Sequence, residues 1–236
     1  GWRRADTLSE RVWPGDKVQL RYNPTSTRAR FLRDQATGTL NQYYTAYLGD
    51  TLSAGRLTVN AGLRFDRQTG KNKATSVEAN PLLPQLLPGI DYPGGSDSIV
   101  WNDLSPRLGL TYALDDARKT IVRASFARYA AQLSNVETGW VNPLGLSFLE
   151  YDWRDNGDGT LQMNEVDFST IRLSAGVDPD DPGGIGESPN RIDANYHSNK
   201  DNEIVVGLER ELAPNLAVSA AYTWRKANDW GQRLRI

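Results

Sequence analysis

The chain of 236 residues carries 27 Lys or Arg against 29 Asp or Glu, a single His and no Cys. So even a balance leaves no electrostatic footprint for nucleic acid, and the absence of Cys removes disulfides, thiolate nucleophiles and Cys-ligated zinc. No run approaches the roughly 20 apolar residues of a spanning helix, a test that a transmembrane β-barrel escapes because only alternate residues of each strand face lipid.

The first six residues, Gly1 to Asp6, hold no apolar core of a signal peptide, which predicts a mature chain or an internal segment of an exported protein. Pro14-Gly15-Asp16 marks a turn into a short strand over roughly 17–22, with Val18, Leu20 and Tyr22 on one side and Lys17, Gln19 and Arg21 on the other. A polar stretch, roughly 23–40, leads to a Tyr-rich strand over 41–52, where adjacent Tyr43 and Tyr44 break the alternation.

Ser53-Ala54-Gly55 predicts a tight hairpin turn. The strand behind it has the cleanest period in the chain. Leu57, Val59, Ala61, Leu63 and Phe65 alternate with Thr58, Asn60, Gly62, Arg64 and Asp66, so one face is apolar and the other wet. A long loop over roughly 68–104 is rich in Pro and Gly. Strands are expected again at Ser105 to Leu114, over 119–130 beyond an Asp115-Asp116 turn, and in a closing hairpin. In that hairpin Ile204, Val206 and Leu208, and then Val218, Ala220, Tyr222 and Trp224, form the apolar side. Between 131 and 201 lies the longest irregular segment; residues 131–200 hold 12 Asp or Glu against 4 Lys or Arg.

The connections alternate between short turns and long loops, and antiparallel strands place these at opposite ends. This predicts an all-β, up-and-down antiparallel transmembrane β-barrel wall of about seven strands, with long extracellular loops, at the bacterial outer membrane. The polar sides would put Arg64, Arg107, Arg123 and Arg225 on a lumen-facing wall. The alternative reading is a soluble or surface-attached β-sandwich binding carbohydrate or an adhesion partner, since a half-solvated sheet alternates in the same way.

Tyr47 to Leu52, Arg56 to Asp66, Ser105 to Tyr112, Asn202 to Arg210 and Tyr222 to Arg225 together resemble the barrel of TonB-dependent outer-membrane receptors, in particular the Oar-like branch. The resemblance implies a barrel of 22-stranded type with a separate plug domain. It also implies energy coupling through the periplasmic partner TonB, and uptake of a scarce substrate such as a metal chelate, oligosaccharide or peptide. Neither plug nor TonB box is recognisable in the chain, so residues 1–236 are expected to be one partial barrel domain of a larger receptor, in contact with the lipid bilayer.

One segment carries a metal-like pattern. Asn156, Asp158 and Glu165 take the third, fifth and twelfth places of an EF-hand-like calcium loop, with Gly159 at the turn. Arg154 stands where the first ligand belongs, so Asp155 or Asp152 would substitute. The competing expectation is an Asn-Gly and Asp-Gly turn. Asp178, Asp180, Asp181 and Glu187 form a second acidic group in a Pro- and Gly-rich stretch. Lone His197 has no Cys or second His to complete a metal site or a triad, and no phosphate loop or nucleophile motif occurs, so no enzyme is expected.

Overall fold

A computed structural model describes residues 1–236 apart from 24–25, 96, 186–187, 189, 230 and 232–236. Among the described residues the strands are, in chain order, β1 (Trp2–Arg11), β2 (Val18–Asn23), β3 (Ser26–Arg33), β4 (Gln35–Ala54), β5 (Leu57–Asn72), β6 (Thr75–Val77), β7 (Ile90–Tyr92), β8 (Asp97–Ala113), β9 (Thr120–Ala130), β10 (Ser147–Trp153), β11 (Val166–Asp167), β12 (Leu173–Ala175), β13 (Lys200–Ala213) and β14 (Leu216–Asn228). A short helix, α1 (Asn135–Thr138), precedes β10.

Seven of these form an antiparallel wall in the order β1-β4-β5-β8-β9-β13-β14. The expected number of wall strands holds, but its membership changes. The segment 17–22 is β2 of a second sheet, and the first wall strand is β1, paired from Trp2 opposite Tyr44 to Arg11 opposite Gln35. The expected polar stretch over 23–40 is β3 and the start of β4. Expected loops also begin and end as strand: β5 runs on to Asn72, and β8 starts at Asp97.

Three tight connections close the wall at one end. Gly55-Arg56 joins Ala54 to its partner Leu57, and Gly55 has φ +61°, as a two-residue hairpin turn demands. Asn215 (φ 66°) serves the same purpose between Ala213 and Leu216. In the turn over 114–119, the two carboxylate oxygens of Asp115 accept from the backbone N–H groups of Lys119 (2.9 Å) and Thr120 (2.8 Å). The three long connections, over 12–34, 73–96 and 131–199, all lie at the other end.

Paired residues of an antiparallel ladder share a face. Apart from Asp50, opposite Ala61, one face of the wall is apolar from β4 to β14: Leu48 and Leu52, then Val59, Leu63 and Phe65, then Leu104, Leu108 and Leu110, then Phe126, Ile204, Val206, Tyr222 and Trp224. This face is bare. Leu48 is 79% exposed, Leu63 44%, Tyr222 68% and Trp224 42%. A sandwich needs a second sheet here, and none covers this face among the described residues. The span from Leu57 to Phe65, at about 3.3 Å per residue, is about 26 Å along the strand and about 20 Å high at a barrel-like tilt, which fills most of an apolar band roughly 25 Å tall.

Burial switches part-way along the long strands. In β5 every residue through Phe65 is exposed or half-exposed, whereas Asp66, Gln68, Thr69, Gly70 and Asn72 are buried. Their cover is a cap woven from the three long connections. It contains the second sheet, β11-β10-β3-β2, with β12 also paired to β10. Strand β3 of the first connection pairs with β10 of the third, Leu32 opposite Phe148 through Arg28 opposite Asp152. This sheet encloses a core of Ala29, Phe31, Leu149, Tyr151, Trp153 and Val166, sealed by Leu87 of the second connection.

Candidate functional site

The wet face of the wall is where the sequence placed its four arginines, and the register puts all four on that face. Arg64 lies opposite Ser105, Arg107 opposite Gly62 and Ala127, Arg123 opposite Thr111 and Gly207, and Arg225 opposite Glu203. They are spread along the wall and do not converge. Arg64 donates through Nε (2.7 Å) and Nη2 (2.8 Å) to Asp66, which also accepts from Thr45 Oγ1 (2.7 Å). The Arg107 guanidinium stands 5.4 Å from the centroid of Tyr129. Arg123 pairs with Glu209 at 3.4 Å, and Arg225 with Glu203.

This face is also hollowed. Tyr47, Gly49, Asn60, Gly62, Gly109 and Tyr129 bound a groove of about 600 Å³. Its floor is backbone because the Tyr47 ring lies across two paired glycines. A Cβ on either Gly49 or Gly62 would meet the Tyr47 hydroxyl at 2.5 Å. The groove offers a polar, aromatic-edged surface on the wet side of the wall.

The cap supplies a second set of groups that sequence reasoning missed. Glu150 is wholly buried on β10, and arginines from the hairpin β2–β3 surround it. Its carboxylate accepts from Arg30 Nη2 (2.7 Å), Arg28 Nη1 (3.0 Å) and Arg21 Nη1 (3.3 Å). Burial pushes the Glu150 carboxyl up, but the hydrogen bonds from Arg28 and Arg30 and the charge of Arg30 outweigh it. The group therefore ionises below the ordinary carboxylate range. Arg33 is the clamp of the cap. Buried to 3% exposure, it donates to the carbonyl of Pro88 (3.2 Å), to Ser147 Oγ (3.2 Å) and to the carbonyl of Gly176 (3.3 Å), so one side chain ties all three long connections together. The signal was present in the alternation of Arg28 and Arg30 with Ala29 and Phe31, and of Glu150 and Asp152 with Leu149 and Tyr151.

The calcium-like loop lies at the edge of the cap. Each of its acidic groups is turned toward backbone N–H donors. Asp155 Oδ1 accepts from Gly157 (3.0 Å) and Gly159 (3.1 Å), Asn156 Oδ1 from Asp158 (3.0 Å), and Asp158 Oδ1 from Thr160 (2.8 Å). Glu165 accepts from Asn156 N (3.1 Å) and Trp153 Nε1 (3.0 Å). Gly157 and Gly159 have φ of +105° and +71°. Among the described residues no three His, Cys, Asp or Glu side chains gather as a metal site would require. In the other acidic group, Asp178 accepts from the N–H of Asp180 (3.0 Å), and Glu187 lies outside the described residues. His197 is exposed.

An apolar face left bare, three tight turns at one end and three long connections at the other define a membrane wall rather than a closed core. A family model described as an outer membrane beta barrel domain matches residues 21–234. The chain belongs to that family. It is an outer-membrane β-barrel protein of bacteria, and the bare apolar face is its contact with the lipid bilayer. Comparison with curated proteins and with solved structures finds no match. The wall is open in the structure, with β1 and β14 at its two edges.

Proposed function

We propose that the chain is part of the barrel wall of a TonB-dependent receptor of the Oar-like kind, which takes up a scarce substrate across the outer membrane. The observation that carries this reading is the construction of the long-loop end. Three connections are interlaced by pairing β3 with β10 and by the Arg33 clamp into a folded cap, where simple surface loops would suffice for a passive wall. A cap of this kind fits a capture surface on the extracellular side. The groove on the wet face, with its Arg row, fits a concave side filled by a plug.

Hydrocarbon tolerates no open sheet edge, so β1 and β14 must pair with further strands, as they would in a barrel of 22-stranded type. The test is made on the intact receptor. Photo-cross-linking from the concave face, at Ser125 for example, is expected to capture the receptor's own plug. Substrate accumulation is expected to stop when TonB is deleted. A barrel whose concave face yields no such adduct, and whose uptake is indifferent to TonB, would be a passive pore instead.

A further inference from the structure

The margin of the apolar band carries a row of groups that neither the transport reading nor the cap uses. On five successive wall strands, the first outward residue past the band toward the long-loop end is Arg67 on β5, Asn102 on β8, Arg128 on β9, Asn202 on β13 and Lys226 on β14. Each is two residues beyond an outward apolar side chain of its strand, namely Phe65, Leu104, Phe126, Ile204 and Trp224, and on β8 an apolar residue, Val100, follows Asn102 on the same face. The row contains three cations and no acid.

Its internal partners are neutral. Arg67 Nη1 donates to Asn102 Oδ1 (3.1 Å) and Arg128 Nε to Asn202 Oδ1 (2.9 Å). Lys226 has neither a hydrogen bond nor an ion pair among the described residues. The amides thus hold the guanidinium groups in place without cancelling their charge and, among the described residues, leave further N–H donors of each without a partner; Asp229, which lines a pocket with Arg128, pairs with Lys200 at 3.3 Å. The opposite margin differs. Past the band toward the short turns stand Ala54, Thr120, Arg210 and Leu216; Arg210 has Asp115 of the neighbouring turn within electrostatic reach, and Arg56, 5.8 Å from the outward Tyr112 ring, pairs with Asp116 at 3.1 Å.

We infer that Arg67, Arg128 and Lys226 form a binding belt for the phosphate groups of anionic lipid headgroups in the leaflet on the long-loop side. The belt is continuous with the lipid-contacting face, so a molecule whose chains lie on Phe65, Phe126 and Trp224 brings its headgroup to the same height. Guanidinium and ammonium groups at that height match phosphate oxygens, and cations beside an anionic surface hold its lipids selectively. The inference rests on the wall reading, since it needs the apolar face to be in lipid.

The test measures spin-labelled phosphatidic acid against spin-labelled phosphatidylcholine on the intact receptor in phosphatidylcholine bilayers. Wild type is expected to prefer phosphatidic acid several-fold. The triple variant Arg67→Gln, Arg128→Gln, Lys226→Gln is expected to bring the ratio to about one. Lys226→Gln alone, at an exposed position that no folded contact depends on, should give a partial loss, and Arg210→Gln should leave the ratio as in wild type. An unchanged ratio in the triple variant, or equal loss from Arg210→Gln, would overturn the belt while the wall reading stands. Displacement of the lipid by millimolar inorganic phosphate would also overturn it, because the ligand would then be the free ion. If neither lipid shows a motionally restricted population, the apolar face is not in lipid and both readings fall.

Discussion

The wall and the cap obey the same rule of alternation and reach opposite ends. In β5, Leu63 and Phe65 alternate with Arg64 and Asp66, and the apolar side stays bare. In β10, Leu149 and Tyr151 alternate with Glu150 and Asp152, and there the apolar side is fully enclosed. Even the polar sides diverge: the arginines of the wall lie mostly exposed in pairs, whereas those of the cap converge on one buried carboxylate. A period of two therefore reports two faces, and the surroundings alone decide whether the greasy face meets protein or lipid.

The contrast can be broken most forcefully at Glu150. Glu150→Ala strands three arginines around an empty position and should cost the cap about 3–5 kcal/mol. Amide exchange should show lost protection across Leu149–Trp153 while the β4–β5 ladder keeps its own. Joint loss would make wall and cap one cooperative unit. Next in size, Leu63→Arg places a charge on the lipid face and should cost about 2–4 kcal/mol near the bilayer midplane, read from urea titration of the intact receptor folded into vesicles.

Acid should separate the two regions as well. Because the folded Glu150 ionises below its ordinary value, its contribution is complete above about pH 4.5 and is lost as pH falls through the lower folded value. Limited proteolysis in acid is expected to open the β2–β3 hairpin before the wall yields. A smaller effect is expected at the edge of the cap. Asp158→Ala removes acceptors for Thr160 N–H and for Gln162 Nε2 and should cost about 1 kcal/mol. Thermal melts of wild type and variant give that cost and, performed with and without millimolar calcium, also examine the metal pattern, since a stabilisation by calcium that vanishes in the variant requires a rearranged loop. Smallest of all, Arg123→Leu breaks an exposed pair with Glu209 and should shift wall stability by less than about 1 kcal/mol.

What was legible in the chain follows from the same physics. Strands β5, β8, β9, β13 and β14 stand out because lipid on one side and water on the other enforce a strict period. Strand β1 does not, since Trp2, Arg3, Arg4, Ala5 and Asp6 alternate in nothing, and its place is fixed by backbone pairing with β4. The four arginines fell on one face because parity alone determines it. The Glu150 cluster escaped notice because its members lie more than a hundred residues apart in the chain, although each of its strands alternates. The acidic loop showed its turn chemistry in Asn156-Gly157 and Asp158-Gly159, and the direction of its carboxylates depends on backbone donors that no spacing rule reveals.

The pairing of β3 with β10 has a temporal meaning. Hairpins β4–β5, β8–β9 and β13–β14 close over turns of a few residues, so their ladders can form as soon as both strands exist. The cap joins Arg33 to Ser147 and Phe31 to Leu149, and its closure must wait until the third long connection has been delivered. Loop closure over such a separation is slow compared with hairpin formation. Until then the apolar side of β2–β3, with Val18, Leu20 and Phe31, has nothing to lie against. The three hairpins of the wall are thus local, whereas the lacing of the cap, like the β9–β13 pairing across residues 131–199, belongs to the slow, non-local part of folding.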